Sequence, residues 1–425
     1  MELLSHAVIL LLSLSLALWP LKATVPLLGM RWSVVSFALF ILAGLSFCIK
    51  KRIRIPALSI WGPALVFVVL HVLSFFLYSR GYGPETGVDL PTHHLIKFLL
   101  SLLFYFLILT LFQQKNPMRE KIILLTLTWT SIISLVLIFR HLFIFHSYYL
   151  TQFFSVAGFQ NEGYAFKNQL AFFFSLLFPF AYSYATNRRQ WFSWILLILL
   201  GFATLYTLSR MAFILVSLTP FLFCLVAYQK KKYLIQFLIL IGVVLTSTFF
   251  GLGPKQFLEL KYKGQVRSTV EGGKSMTLKA NELGWQMNPQ GSRAKYLRSA
   301  LQGFWEKPIF GHGFDTFAGD HTEFGKQGER LRFPSSHNDY GQILYELGLV
   351  GFISFFYLLG FSCKRMFVVR SLIPLESQWL WEGQMVSFFV LCISLFAINA
   401  YYTIPFWFIL AGNNAPLKDQ SGLSS

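Results

Sequence analysis

Residues 191–228 read WFSWILLILLGFATLYTLSRMAFILVSLTPFLFCLVAY. As a single helix this stretch would be about 57 Å long, nearly twice the hydrocarbon thickness of a bilayer. It must therefore fold back on itself, and Ser209-Arg210 is the polar break where it does so. Two apolar helices joined by a tight turn make a membrane hairpin. The chain around them reads the same way. Apolar runs long enough to span lie at 6–29, 33–49, 57–79, 95–112, 122–145, 170–186, 191–207, 211–228, 233–252, 342–361 and 383–400, with a short last one near 402–412. The expected fold class is an all-α integral membrane protein of about 12 transmembrane helices, with one large periplasmic loop that itself contains helices.

Composition agrees along the whole length. Only 13% of the 425 residues are charged and 55% are hydrophobic, against about 25% charged in soluble domains. A soluble enzyme with one anchor is thereby excluded. The formal net charge of +18 would suggest nucleic acid in a soluble protein; here its placement points to topology and anionic lipid groups instead. Basic clusters follow every second helix: Lys50, Lys51, Arg52 and Arg54; Lys115, Arg119 and Lys121; Arg188 and Arg189; Lys230, Lys231 and Lys232; Lys364, Arg365 and Arg370. The positive-inside rule places them all in the cytoplasm, together with the N-terminus. Residues 80–94, 146–169, the 206–210 turn and 253–341 then face outward.

Four divisions follow: helices one to nine over 1–252, the large outward loop over 253–341, helices ten to twelve over 342–412, and a loose cytoplasmic tail over 413–425. The first residues, Met1-Glu2-Leu3-Leu4, lack a cationic leader region, so the first apolar run reads as a retained helix. Cys48, Cys224, Cys363 and Cys392 all sit in or beside apolar segments, which excludes a disulfide framework, and no Cys/His spacing resembles a zinc site.

The candidate chemistry gathers on the outward side. In 291–305, Leu297, Ala300, Leu301 and Phe304 fall at helical spacing and make one apolar face. Arg293 shares that face, while Lys295 and Arg298 point elsewhere. A guanidinium there either pairs with an internal carboxylate, faces water from the first turn, or holds a phosphate matched to its planar fork. Pro334-Ser335-Ser336-His337-Asn338-Asp339-Tyr340 leads into the tenth helix. Ser336 with Asp339 fits a capping signature, which expects His337 in the first turn and neutral beside the positive helix end. A neutral imidazole there is either a polar interfacial residue or a base toward a hydroxyl. Arg210 marks the outward tip of the 191–228 hairpin, as a snorkelling side chain or an anion ligand. Lys167, ahead of the sixth helix, is a weaker candidate of the same type. Glu346 is an acid well inside the tenth helix, functional or paired with a neighbouring Arg. His93-His94 is no metal site on its own. Gly311-His312-Gly313-Phe314 is a glycine-flanked turn without the βαβ frame of a dinucleotide site.

The order of these motifs resembles the bacterial O-antigen ligase superfamily, which includes polysaccharide polymerases and some protein oligosaccharyltransferases. The residues carrying the resemblance are Leu208-Ser209-Arg210, Gly291-Ser292-Arg293, Trp305 to Gly313, His337-Asn338, and Tyr345 to Gly351. The resemblance implies a GT-C-type glycosyltransferase of the inner membrane that uses no metal and no cofactor. Its donor would be a glycan on undecaprenyl diphosphate, and its acceptor the lipid A–core oligosaccharide of lipopolysaccharide. The partners are thus two lipid-linked glycans and the membrane lipids, with no nucleic acid. Carried over residue by residue, Arg210 and Arg293 would hold the diphosphate and His337 would be the base. Lys167, Arg298, Asn338, Asp339 and Glu346 are possible supporting residues. The first 160 residues align with no motif, so acceptor recognition is unassigned. A repeat-unit polymerase is the alternative reading. A multi-helix transporter is more remote, because related halves are not evident and the candidate polar residues gather on one side.

Overall fold

The computed structural model describes residues 2–18, 32–51, 53, 56–78, 91–112, 116–145, 163–188, 190–207, 209–227, 231–236, 238, 289–320, 323–324, 330–332, 336–401 and 403–415. Much of the expected ninth helix (239–252), the loop residues 253–288 and the tail from 416 lie outside the described residues. The apolar runs form α1 (Glu2–Leu18), α2 (Trp32–Lys51), α3 (Leu58–Tyr78), α4 (Pro91–Phe112), α5 (Asn116–Phe145), α6 (Gly163–Arg188), α7 (Trp191–Tyr206) and α8 (Arg210–Val226). After the loop come α9 (Pro289–Glu306), α10 (Thr316–Asp320), α11 (Asp339–Val369), α12 (Gln378–Ser394) and α13 (Ile404–Asn414). The described fold is helical apart from one antiparallel pair, β1 (Glu323–Phe324) with β2 (Arg330–Arg332).

The 191–228 stretch folds back where its polar residues lie. Thr207 ends α7 by donating its hydroxyl to Thr204 O at 2.7 Å, and its Oγ1 accepts from Ser209 N at 3.3 Å. Ser209 N-caps α8, so Arg210 is the first helical residue after the turn. Among the described residues, three helical segments are long and apolar enough to cross a bilayer: Leu58–Leu77, His94–Phe112 and Asp339–Val369. Large apolar side chains stand exposed on the outer helices, among them Leu42, Ile49, Phe76, Ile198 and Phe202. Such surfaces are tolerable in lipid and costly in water, so this is a membrane protein.

α6 and α12 pack against each other at the centre, with Tyr184 on Trp379 at 4.8 Å between ring centroids. Pro179 interrupts the backbone ladder of α6, and nearby Ser387 of α12 donates to Leu176 O at 2.7 Å.

Residues from four of the basic clusters contact neighbouring helices or helix ends. Arg188 bridges Glu120 at 3.3 Å and donates to Glu376 O, and Lys232 donates to Thr186 O. Arg119 donates to Gln384 of α12, and Arg370 lies over the Trp381 ring of the same helix.

Two expected boundaries are corrected. The tenth helix was expected over 342–361 but runs over Asp339–Val369, with a break at Gly348. The tail was expected to loosen from residue 413, yet Asn413 and Asn414 end α13 and are buried. Asn414 donates to Tyr105 Oη at 2.9 Å and to Ser362 Oγ at 3.0 Å. Asn413 Oδ1 accepts from Gln384 of α12 at 2.9 Å, so polarity here marks a helix–helix contact rather than a free end.

Candidate functional site

α11 is broken at Gly348, whose φ of 62° and ψ of −156° leave the helical region. A break strands carbonyls on one side and N–H groups on the other. The turn after α9 takes up both sets. His312 N donates to Tyr345 O and Gly313 N to Glu346 O, each at 2.9 Å. In return Leu349 N donates to Pro308 O at 2.8 Å and Val350 N to Ile309 O at 3.2 Å. The motif 305–313 and the motif 345–351 are thus two halves of one backbone ladder.

The approach is so close that neither glycine can carry a side chain. A Cβ on Gly311 would lie 2.5 Å from the Glu346 carbonyl, and one on Gly348 would lie 2.5 Å from Ile309 O. Side-chain contacts lock the ladder. The His312 ring stacks on Tyr345 at 4.4 Å, its Nε2 donates to Gly303 O at 2.9 Å, and Tyr345 Oη donates to Asp320 at 2.7 Å.

Beyond the ladder the chain reaches α3 and α4. Phe314 N donates to Ser74 Oγ at 3.0 Å, and its ring lies 5.5 Å from buried His71. Asp315 meets His94 Nδ1 at 2.6 Å.

A second set of contacts builds the start of α11. The expected cap, Ser336, is corrected: Asn338 is the N-cap and accepts from Gly341 N at 3.1 Å. His337 therefore stands two residues before the helix, half-buried, with φ of 51°. The expectation that it lies in the first turn is overturned, because capping one residue-pair later leaves it in the turn that enters the helix. Ser336 Oγ donates to Asn338 O at 2.7 Å and accepts from Asn338 N at 3.2 Å, so both neighbours of His337 are tied together.

Asp339 does not cap its own helix. Its Oδ2 accepts from Ala400 N at 2.7 Å and Tyr401 N at 3.0 Å, while its own N–H donates to Leu395 O at 2.8 Å. The turn after α12 is clamped to the start of α11 in this way. Asn399 of that turn donates to Ser336 Oγ at 3.3 Å and also to Gln342 Oε1.

Glu346 is fully buried, and its described partners include no arginine. Oε1 accepts from Gln342 at 2.9 Å, Oε2 accepts from Tyr401 Oη at 3.4 Å, and the amides of Asp315 and Phe317 also hold the carboxylate. Among the described residues its partners are thus uncharged donors, and the Arg210 and Arg293 side chains lie outside that set.

The cationic candidates fall differently. Arg210 opens α8, Arg293 lies in the first half of α9 and Lys167 near the start of α6. Their side chains lie outside the described residues, as do those of 253–288. Arg298 is exposed, on the side of α9 away from buried Tyr296 and Ala300. That buried stripe also differs from expectation, since Leu301 is 41% exposed and Tyr296 takes its place.

The structure thus joins the 305–313, 336–339 and 345–351 motifs to 395–401. Sequence reasoning missed Gln342, Asn399, Tyr401, Asp315 and the role of His94. The one available signal was Asn399-Ala400-Tyr401, a polar interruption inside an apolar run.

A family model described as O-Antigen ligase matches residues 195–356, the stretch from the α7–α8 hairpin through the ladder into α11. A comparison with curated proteins finds no match.

Proposed function

With residues 195–356 belonging to the O-antigen ligase superfamily, we propose that this membrane protein moves a glycan from undecaprenyl diphosphate to an acceptor hydroxyl at the periplasmic face of the bacterial inner membrane. In this reading the chain spans the membrane about twelve times. The acceptor is the lipid A–core oligosaccharide, and the product belongs to lipopolysaccharide. The observation that carries the reading is the family match over the segment that holds Arg210, Arg293 and His337.

The chemistry assigns each residue a task. The acceptor hydroxyl gives its proton to the His337 imidazole as its oxygen bonds to the anomeric carbon. The bond from that carbon to the diphosphate oxygen breaks, and the electron pair leaves with the diphosphate. Arg210 and Arg293 stabilise the charge that develops there, a role that metal ions serve in other transferases. Attack from the face opposite the leaving group inverts the anomeric carbon. The strained backbone of His337, bracketed by the linked Ser336 and Asn338, suits a group that must be held in one orientation.

Reconstitution in proteoliposomes tests the reading. The protein is supplied with the lipid-linked glycan and either lipid A–core or a second lipid-linked repeat. Glycosylated lipid A–core is the expected product. Chain extension of the second repeat alone would make the protein a polymerase, and no product with either acceptor would refute glycosyl transfer.

A further inference from the structure

At the end of the bundle where the basic clusters lie, two arginines have no carboxylate partner among the described residues. Arg119, in the first turn of α5, is half-buried. It lies 5.3 Å over the Phe112 ring and donates to Gln384 Oε1 at 3.1 Å, while its Nε is buried without a hydrogen-bond partner. Arg365, near the end of α11, is half-buried 5.9 Å from the Phe361 ring, and its Nε is likewise buried and unpaired. The nearby carboxylates are engaged elsewhere. Glu120 bridges Arg188 at 3.3 Å, and Glu382 accepts from Tyr233 Oη at 2.8 Å and from Asn187 Nδ2 at 3.2 Å. A guanidinium withdrawn from water calls for an anion.

The end of α13 links the two cations. Gln384 Nε2 donates to Asn413 Oδ1 at 2.9 Å, so Arg119, Gln384 and Asn413 form one row. The next residue, Asn414, donates to Tyr105 Oη and to Ser362 Oγ, and Ser362 stands one turn before Arg365. Asn413 is only 2% exposed, yet its Nδ2 has no partner. Three donors are thus left unpaired around this helix end: Arg119 Nε, Arg365 Nε and Asn413 Nδ2. One acceptor, Asn414 Oδ1, is unpaired beside them. A donor-rich cluster with two guanidiniums is complementary to a phosphate.

The outer face of α11 says where that phosphate comes from. Ile353, Tyr357 and Val368 are each more than half exposed on it, as suits a lipid-facing stripe. Lys364 is exposed along the same stripe and Arg365 borders it. Basic pockets between membrane helices take anionic headgroups in this setting.

We propose that Arg119, Arg365 and Asn413 hold the phosphate of an anionic membrane lipid between α5, α11 and α13. The site lies at the opposite end of α11 from His337 and does not depend on the glycosyl-transfer reading.

Native mass spectrometry of the full-length protein, released from detergent micelles, tests the site. Phosphatidylglycerol is the probe. Diacylglycerol with the same tails reports what the tails contribute, and inorganic phosphate what the phosphate contributes alone. The expected result is one retained phosphatidylglycerol and no retained diacylglycerol. Arg119→Gln and Arg365→Gln should each weaken binding about 10- to 100-fold, the loss of a hydrogen bond to a charged group. Lys364→Gln removes the same charge from an exposed position and should bind as wild type. Arg365 donates no hydrogen bond among the described residues, so Arg365→Gln decides the matter should Arg119→Gln fail to fold. Wild-type affinity in Arg365→Gln, or equal weakening in Lys364→Gln, overturns the proposal. Equal retention of diacylglycerol would show attachment through the tails and overturn it as well. Displacement of the lipid by inorganic phosphate would make the ligand a soluble anion and overturn the lipid assignment.

Discussion

Replacing Gly348 by alanine should open the ladder between the post-α9 turn and α11. The backbone at Gly348 lies in a region that essentially only glycine occupies, so a side chain there costs about 1–3 kcal/mol before any contact is counted. The new Cβ would also sit 2.5 Å from Ile309 O, 2.6 Å from its carbonyl carbon and 2.7 Å from Gly311 N. All three are backbone atoms, so no rotamer relieves the clash. The turn must back away, and the bonds from Leu349 N and Val350 N to Pro308 O and Ile309 O go first. At about 1 kcal/mol net for each bond, the total is about 3–5 kcal/mol. That is a large part of the stability of an ordinary domain, and it falls on one local unit. Hydrogen exchange in detergent micelles reads it directly. The amides of His312, Gly313, Leu349 and Val350 should exchange about 10² to 10⁴ times faster than in wild type. Gly360 of the same helix is the control, because nothing lies within 4 Å of a Cβ added there, and Gly360→Ala should leave those amides unchanged. Wild-type protection of the four amides in Gly348→Ala would refute the account of the ladder.

Three further outcomes are expected. His337→Ala should keep donor binding while losing about 10² to 10⁴ in transfer rate, and His337→Gln should be nearly as poor; near-normal transfer by the glutamine variant would make His337 a positioning group and send the search for a base elsewhere. Arg293→Lys keeps the charge and loses the bidentate fork, so turnover with lipid-linked donor should fall strongly, and full turnover at normal donor affinity would dispose of the fork argument. Asp339→Ala strands the buried amides of Ala400 and Tyr401 and should cost about 2–5 kcal/mol in unfolding, whereas Asp339→Asn retains an acceptor oxygen and should cost much less. Equal losses in melting temperature for the two variants would argue against the clamp.

The legibility of this protein in its sequence varied with the range of the interaction. The 191–228 hairpin was readable because an apolar run of that length cannot cross a bilayer once, and the fold-back lies where Thr207, Ser209 and Arg210 interrupt it. The start of α11 was misread by two residues. Ser336-x-x-Asp339 looks like a local cap, but Asp339 spends its carboxylate on Ala400 and Tyr401, about sixty residues away, and Asn338 caps instead. Helical spacing also overstated the buried face of α9, where Tyr296 rather than Leu301 faces α11.

By itself the sequence determined a helical membrane protein, the alternation of basic clusters, the hairpin opened by Arg210, and the motif order that resembles the O-antigen ligase superfamily. These follow from composition and period, which act over single helices and their flanks. Only the tertiary structure decided that Gly311 and Gly348 face each other across a broken helix. It alone decided that Glu346 meets Gln342 and Tyr401, and that α4 reaches the 311–315 turn through His94 and Asp315. Those pairings join residues far apart in the chain. Their partners are chosen by how helices pack and by the need to satisfy every buried backbone group inside a membrane, and no spacing along the sequence records that choice.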